Sequence, residues 1–440
     1  MPIELTVAQV LSLSPDAASV AAGKKLAKPG PWKGLGHSAT SFWGECQGSA
    51  LYQTQVALAD LASKCSCPSR KFPCKHALGL LLLAADAPHS IPEGAEPEWV
   101  TSWLEKRGAA QQKKLARADA ATKPVDAVQQ AKRAEKRHET ILSGLDQLDA
   151  WMNDLVRQGL SRVQSESPGV WLAQSKRLVD AQAPGLASRI RQIGARVGTG
   201  SDWASRLLDD LGQIALLTQA YRRIDQLEST LAADVRRFVG LTLDQTEVIA
   251  HGDVVEDEWH VIGEVVEDDD RVRVQRAWLR GQKSGRTALV LQFAIGGGRF
   301  PEAIVVGTRQ RARLAFWPSA APVRALVVER SGPPEAYSGA PRGEGVPEAL
   351  DGFARLLARN PWMEQSLVVL SGMTPVPGEP WMVTDSGGHA LPLRGASENL
   401  LLAVSGGHPI TLAGEWDGYA LLPMSAWVEG RLVSLVRTAA

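Results

Sequence analysis

Four residues that commonly bind metal ions lie close together near the start of the chain, in the pattern Cys-x-Cys, six residues, Cys-x-His. They are Cys65, Cys67, Cys74 and His76. In an extended chain, residues i and i+2 point to the same side, so the first two sulfurs can face one ion. Pro68 and Pro73 stiffen the loop that returns the chain. The spacing therefore predicts that the second pair completes one metal site.

Three thiolates and one imidazole form a closed tetrahedral set that favours Zn²⁺ over Mg²⁺ or Ca²⁺. With four protein ligands, no position is open for water or substrate, so we expect structural rather than catalytic zinc. A module this small has little core of its own, and zinc would contribute on the order of 10 kcal/mol to its folding. The neighbouring Lys64, Arg70, Lys71 and Lys75 would moderate the negative charge of the site.

The sequence alone allows three other interpretations of the cysteines. A Cys65–Cys67 disulfide would span about 6.6 Å between Cα atoms in an extended chain, near the upper limit for such a bond. Reactive redox thiols more often occur as Cys-x-x-Cys. A chance cluster of unligated cysteines is the third alternative. Cys46 lies outside the pattern, and we expect it to be a buried or half-buried free thiol.

Composition limits the class of protein only loosely. The 440 residues hold 48 Lys and Arg and 48 Asp and Glu, so the net charge gives no indication of a partner. No run of about 18 apolar residues predicts a membrane span. The first residues, Met-Pro-Ile-Glu-Leu, lack the basic start and apolar run of a secretory signal. We therefore expect a cytoplasmic protein without a membrane partner.

Changes in residue pattern divide the chain into three regions and predict an α+β fold. Residues 1–88 read as a ββα-type zinc module with an N-terminal helix, in which Tyr52–Leu58 is a strand. Residues 89–240 read as helical. A helix over Glu98–Arg117 and a long helix over Asp126–Val163 are expected there.

Apolar residues in the helical region recur at spacings of three and four, which places them on one face of each helix. In the long helix they are Ile141, Leu145, Leu148, Met152 and Leu155. A later helix, which we expect Asp202 to cap, carries Leu207, Leu211, Ile214, Leu217, Tyr221 and Ile224. These two stripes predict a helical core.

Residues 241–440 read as a β-rich domain built from short runs separated by Gly and Pro. The predicted strands are Trp259–Val266, Val272–Leu279, Ala288–Ile295, Ala303–Gly307, Val323–Val328 and Leu400–Val404. One helix, Pro347–Ala358, interrupts them. We expect a mostly antiparallel sheet, sandwich or barrel.

A local excess of basic residues follows the zinc motif. It comprises Lys106, Arg107, Lys113, Lys114, Arg117, Lys123, Lys132, Arg133, Lys136 and Arg137. Together with Arg70, Lys71 and Lys75 it could form a nucleic-acid footprint. A solvated helix face is the commoner explanation, and aromatic residues that could stack on bases are absent from residues 111–137.

No nucleophile–base pair, paired carboxylates or metalloprotease motif stands out, so we expect no catalytic residues and no enzymatic activity. An enzyme whose site lies in the β-rich region is the weakest of three possibilities.

The segment Cys65-Ser66-Cys67-Pro68-Ser69-Arg70-Lys71-Phe72-Pro73-Cys74-Lys75-His76, with the lead-in Trp43-Gly44-Glu45-Cys46, resembles the bacterial SWIM zinc finger family. The resemblance implies a β-hairpin followed by a helix, a bound zinc ion and binding to DNA or to other proteins. It further implies an association with a MoxR-type ATPase and a von Willebrand A domain protein. We therefore favour a zinc-binding, non-enzymatic adaptor, with nucleic-acid binding through the zinc module and basic helices as the alternative.

Overall fold

The computed structural model describes residues 3–120, 127–164, 167–200, 202–269, 272–295, 298, 300–395 and 398–436. Helices and sheets dominate separate parts of these residues, which confirms the predicted α+β class. Among the helices described, none is both long and apolar enough to cross a lipid bilayer.

The N-terminal part is a four-stranded antiparallel sheet packed against helices. Its helices are α1 (Val7–Ser12), α2 (Ala17–Leu26) and α3 (Lys75–Asp86). Its strands, in sheet order, are β1 (Trp32–His37), β2 (Ser41–Gln47), β3 (Leu51–Ala57) and β4 (Ser63–Cys65). The strand expected over Tyr52–Leu58 is thus confirmed as β3.

Helix α3 is apolar on nearly every side because it is enclosed by the sheet, α1 and α2. It meets α2 at two glycines. A Cβ on Gly23 would lie 2.9 Å from Leu78 Cδ2, and one on Gly79 would lie 2.6 Å from Leu26 Cβ. Glycine is therefore required for this close helix approach, which holds the start of α3 beside the sheet.

The helical part follows. Its elements are α4 (Glu98–Ala120), α5 (Ala127–Gln158), α6 (Leu160–Val163), α7 (Gly169–Asp180), α8 (Pro184–Arg196), α9 (Trp203–Arg222), α10 (Ser229–Val239) and α11 (Gln245–His251). The two predicted apolar stripes are buried in one core between α5 and α7 to α10. Helix α4 packs against α11.

Two sequence expectations for this part were wrong in detail. The long helix ends at Gln158, because Gly159 adopts a left-handed φ of 89° before α6 begins. Asp126, its expected start, lies outside the described residues. Asp202 stands before α9 but does not cap it with its side chain, because its carboxylate instead accepts a hydrogen bond from Arg206 Nε at 2.6 Å.

The first C-terminal unit is a closed five-stranded barrel. Its strands are β5 (Asp253–Asp269), β6 (Val272–Gly281), β7 (Thr287–Ile295), β8 (Thr308–Phe316) and β9 (Arg324–Ala336). They close in the order β5-β6-β7-β9-β8. The β7–β9 pair is parallel and the others are antiparallel. This five-stranded Greek-key arrangement is that of an OB-fold barrel.

The second C-terminal unit is a six-stranded sheet in the order β12-β11-β10-β13-β14-β15. Its elements are α12 (Val346–Arg359), β10 (Ser366–Val376), β11 (Met382–Thr384), β12 (Ala390–Pro392), α13 (Glu398–Ser405), β13 (Ile410–Trp416), β14 (Leu421–Val428) and β15 (Arg431–Ser434). The predicted helix Pro347–Ala358 corresponds to α12.

Two predicted strands of the C-terminal region were wrong. Residues Leu400–Val404 lie within helix α13, which buries Leu401 and Ser405, four residues apart. A short apolar run fits a strand or a buried helix equally well by periodicity. Residues Ala303–Gly307 form no strand, although Val305 is buried, because they cross from the barrel to the core of the N-terminal part.

Hydrogen bonds tie the parts together. Gln9 Nε2 in α1 donates to the Gly307 carbonyl at 2.9 Å, and Gln310 Nε2 in β8 donates to the Ala59 carbonyl at 2.6 Å. Trp362 inserts into the helical core and donates from Nε1 to the Gln213 carbonyl at 3.1 Å. The zinc motif is therefore carried on a module that docks directly onto the barrel.

Candidate metal centre

The four predicted ligands come from two adjacent elements. Cys65 ends β4 opposite Thr54 of β3, and Cys67 follows two residues later. Cys74 is the N-cap of α3, and His76 lies in its first turn. The hairpin register and the helix start thus place both halves of the motif on the same side of the module.

The structure brings all four side chains together. One potential ligand atom from each residue lies within 4.8 Å of the others. Cys65 Sγ and His76 Nδ1 are 3.7 Å apart. A tetrahedral zinc ion with Zn–S and Zn–N bonds of about 2.3 and 2.0 Å requires donor atoms about 3.5–3.8 Å apart. The donor set and its spacing therefore fit a four-coordinate metal ion.

Surrounding groups hold the ligands in place. Cys74 and His76 are buried, with exposed fractions of 4% and 3%, whereas Cys65 and Cys67 are half-buried. Thr54 Oγ1 lies 3.2 Å from Cys65 Sγ, and Ala77 N donates to Cys74 Sγ at 3.5 Å. The Tyr52 ring stacks on the His76 ring at 4.9 Å. Such outer contacts orient metal ligands and tune their affinity.

The sulfurs influence one another's ionisation. A hydrogen bond with Cys74, together with contacts to His76 and Thr54, lowers the pKa of the Cys65 thiol to about 3 despite its burial. The same contact with Cys65, and then burial, raise the pKa of Cys74. Burial also raises the pKa of Cys67. Without an ion, Cys65 is the first sulfur to ionise, and a metal ion that binds must displace the remaining thiol protons.

Comparison with known families supports the same segment. Residues 52–85 match the SWIM zinc finger, which comprises β3, β4 and α3 with all four ligands. The chain carries a SWIM zinc finger, which we call the SWIM module. Residues 136–239 match the SWIM-associated four-helix bundle domain and include most of α5 and all of α6 to α10. No curated protein and no solved structure gives a match.

The other residues that the sequence singled out around the SWIM module are three basic residues and Cys46. Arg70, Lys71 and Lys75 are all exposed, and Lys71 Nζ lies 2.6 Å from Asp16 Oδ2. Cys46 is buried in β2 and lies outside the cluster, as expected. Tyr52 and Thr54 were not identified from sequence as part of the site. Their position on the strand that pairs with the Cys-x-Cys segment is the signal that could have indicated them.

The basic residues of the helices are partly paired. Lys106, Lys113, Lys132, Arg133 and Lys136 are exposed. Arg107 is half-buried and bonds to Asp60 of the SWIM module. Lys123 and the side chains of Lys114 and Arg117 lie outside the described part of the chain. Arg137 is also half-buried, so five of the described basic residues of the helices are exposed.

An open groove of about 430 Å³ lies directly beside the ligands. Its walls come from α2, the β2–β3 turn and the loop between Cys67 and Cys74. Tyr52 and His76 form part of the lining, with Lys71 and Lys75 alongside. We call this the zinc-loop groove. Because Cys67 and His76 line it, its shape depends on the metal cluster.

Proposed function

We propose that the protein is a non-enzymatic interaction or adaptor protein whose SWIM module holds Zn²⁺ through Cys65, Cys67, Cys74 and His76. The observation that carries the proposal is the convergence of four protein donors, two of them buried. A complete donor set leaves no coordination position for a substrate, so the ion stabilises the fold and supplies no chemistry.

The zinc-loop groove is the docking surface in this proposal. Its volume of about 430 Å³ is suited to a short segment of a partner, and Ala18 and Ala22 of α2 leave it open. Lys75 is exposed and forms no ion pair among the described residues, whereas Lys71 is neutralised by Asp16. This charge favours a partner segment that combines small apolar residues with a carboxylate.

The resemblance to bacterial SWIM proteins suggests a MoxR-type ATPase and a von Willebrand A domain protein as the partners to test first. Binding should survive moderate salt, because apolar burial in the groove is insensitive to screening.

The test compares two arginine substitutions on one helix. Ala18→Arg would fill the zinc-loop groove, whereas Ala21→Arg places the same side chain on an exposed position of α2 outside it. Purified partners would be titrated calorimetrically against the wild type and both variants, with metal content measured alongside. We expect Ala18→Arg to weaken binding about tenfold or more and Ala21→Arg to leave it unchanged. Equal binding by all three proteins would place the partner elsewhere.

A second candidate function is nucleic-acid binding through the zinc module and basic helices. The exposure of Arg70, Lys71 and Lys75 favours it. This function requires that affinity fall steeply with salt and that the slope decrease when these three residues are changed to Ala. A shallow salt dependence, or an unchanged slope in the triple variant, would exclude this version.

A further inference from the structure

A second groove lies where the helical bundle faces the barrel, far along the chain from the zinc ligands. It has a volume of about 330 Å³. One wall comes from α8 and the end of α10, another from β6, β7 and the β8–β9 loop, and a third from residues 360–365. Four arginines line it, namely Arg189, Arg237, Arg276 and Arg324. We call it the arginine groove.

Among the described residues, acidic groups balance two of these arginines. Arg276 bonds to Glu267 and Glu415, and Arg189 Nη1 lies 3.7 Å from Glu364 Oε1. In the described part of the chain, no carboxylate lies within ion-pair distance of Arg237 or Arg324. The four arginines and these three glutamates leave a net charge of about +1, and Arg237 and Arg324 supply the two guanidiniums without a carboxylate partner.

An acidic residue beside Arg237 holds the wall of the groove. Asp234 lies one turn before Arg237 on α10, but its Oδ2 accepts hydrogen bonds from Ser319 Oγ at 3.0 Å and Ala320 N at 2.8 Å. These bonds fix the β8–β9 loop against α10 and so fix the width of the groove. Asp234 thus organises the wall. The Arg237 guanidinium stacks on the Phe238 ring, 4.7 Å from its centroid, and has no ion-pair partner among the described residues.

The arginine excess has an energetic consequence. Burial and the charge of Arg237 lower the pKa of Arg324 to about 10. Arg324 Nε is buried without a hydrogen-bond partner, and Arg189 Nη1, at 3.7 Å from Glu364 Oε1, also makes no hydrogen bond. Buried, unpaired donors of like charge are costly, and a bound oxyanion would relieve that cost by accepting from several of them. Arginine forks match phosphate geometry in particular.

The position on the barrel supports a nucleotide-type ligand. Five-stranded barrels of this kind bind oligonucleotides or oligosaccharides on the face of strands two and three, next to the loop between strands four and five. The corresponding elements here are β6, β7 and the β8–β9 loop, and all three line the arginine groove. Its positive charge favours the phosphate-bearing ligand over an uncharged sugar.

We propose that the arginine groove is a binding site for the phosphate of a nucleotide unit, with Arg237 and Arg324 as its principal contacts. The unit is either a free nucleotide or one residue of a single strand, since both offer the same phosphate chemistry. This site is independent of the adaptor function assigned to the zinc-loop groove.

The experiment titrates the full-length, metal-loaded protein with adenosine monophosphate and with a short single-stranded oligothymidine at moderate salt. Arg237→Gln and Arg324→Gln should each weaken binding about tenfold or more, and Arg324→Lys should restore part of it. Arg313→Gln, which lies on β8 outside the groove and pairs with Glu329, is the matched control and should bind normally. Binding of the mononucleotide alone would identify a free nucleotide, whereas preference for the oligomer would identify a strand.

Thermal unfolding of the free variants separates a binding role from a structural one. Removing one of two mutually repelling charges should leave the melting temperature of Arg237→Gln unchanged or raised while binding is lost. No saturable binding of either probe by the wild type would overturn the proposal. So would normal binding by both groove variants, or a loss that occurs only when Arg70, Lys71 and Lys75 are changed.

Discussion

Arg276 of the barrel and Glu415 of the six-stranded sheet form a two-pronged ion pair. Arg276 Nε lies 2.9 Å from Glu415 Oε1, and Nη2 lies 3.0 Å from Oε2. Trp278 Nε1 also donates to Glu415 Oε1, at 2.7 Å. Burial lowers the pKa of Arg276, but the bonds to Glu267 and Glu415 raise it by more than burial lowers it. The guanidinium therefore stays charged. This pair joins the two C-terminal units.

Replacing Glu415 with Ala should therefore destabilise the protein strongly. The Glu415 side chain is fully buried, and its loss leaves Arg276 and Trp278 Nε1 without this partner. Removing one partner of a buried ion pair costs about 3–5 kcal/mol. Denaturant unfolding measures the loss. Glu329→Ala, which breaks an exposed pair with Arg313, should cost less than about 1 kcal/mol. Equal costs for the two variants would contradict the assigned role.

Loss of one of the four proposed metal ligands should unfold the SWIM module. Cys74→Ala removes a buried donor from the start of α3, so we expect the metal, about one ion per chain in the wild type, to be lost together with much of the module's stability. Elemental analysis and thermal unfolding measure both effects. Cys46→Ala is the control, because Cys46 is equally buried but lies outside the cluster. Full metal retention by Cys74→Ala would contradict the ligand set.

The zinc motif and the helical core could be predicted from sequence because each depends on local spacing. Cys65 and Cys67 define half of a site through their separation alone, and Leu145 and Leu148 indicate a buried face through helical periodicity. The wrong strand over Leu400–Val404 shows where local pattern fails, since five apolar-rich residues fit either structure.

The arginine groove could not be predicted in the same way. Arg237 and Arg324 lie far apart in the sequence, and neither stands in a recognisable motif. They meet only because Asp234 binds the β8–β9 loop and because that loop belongs to a closed barrel. The strand order of the barrel, with its one parallel pair, is likewise a long-range property that alternation of apolar residues does not encode.

The stability of the barrel should depend on pH through Glu264. Burial raises the pKa of Glu264 from its usual 4.5 to about 7, and a 2.6 Å hydrogen bond from Gln275 Nε2 offsets only part of this. The folded state therefore favours the protonated carboxyl. Its contribution to the free energy of unfolding is fully present below about pH 4.5 and is lost as the pH rises to about 7.

The variant Glu264→Gln isolates this effect. Its stability advantage over the wild type should grow between about pH 5 and pH 7 and then level off, at a value on the order of 1–3 kcal/mol. Denaturant unfolding of both proteins at several pH values gives the difference. Glu256→Gln, at a half-exposed position paired with Arg311, should show no such trend. A pH-independent difference for Glu264→Gln would show that the carboxyl is ionised throughout.

The hydroxyl of Thr54 should tune the affinity of the SWIM module for its ion. Thr54 is buried, and its Oγ1 lies 3.2 Å from Cys65 Sγ, where it can donate to the thiolate. Thr54→Val keeps the shape of the side chain but removes that donor, so metal affinity should fall about tenfold or more. Thr54→Ser keeps the hydroxyl, so its metal affinity should fall less than that of Thr54→Val. Competition with a chromogenic chelator measures both, and thermal unfolding in excess zinc verifies that the variants fold. If the Val and Ser variants matched the wild type in affinity, the hydroxyl would serve only to pack β3 against β4.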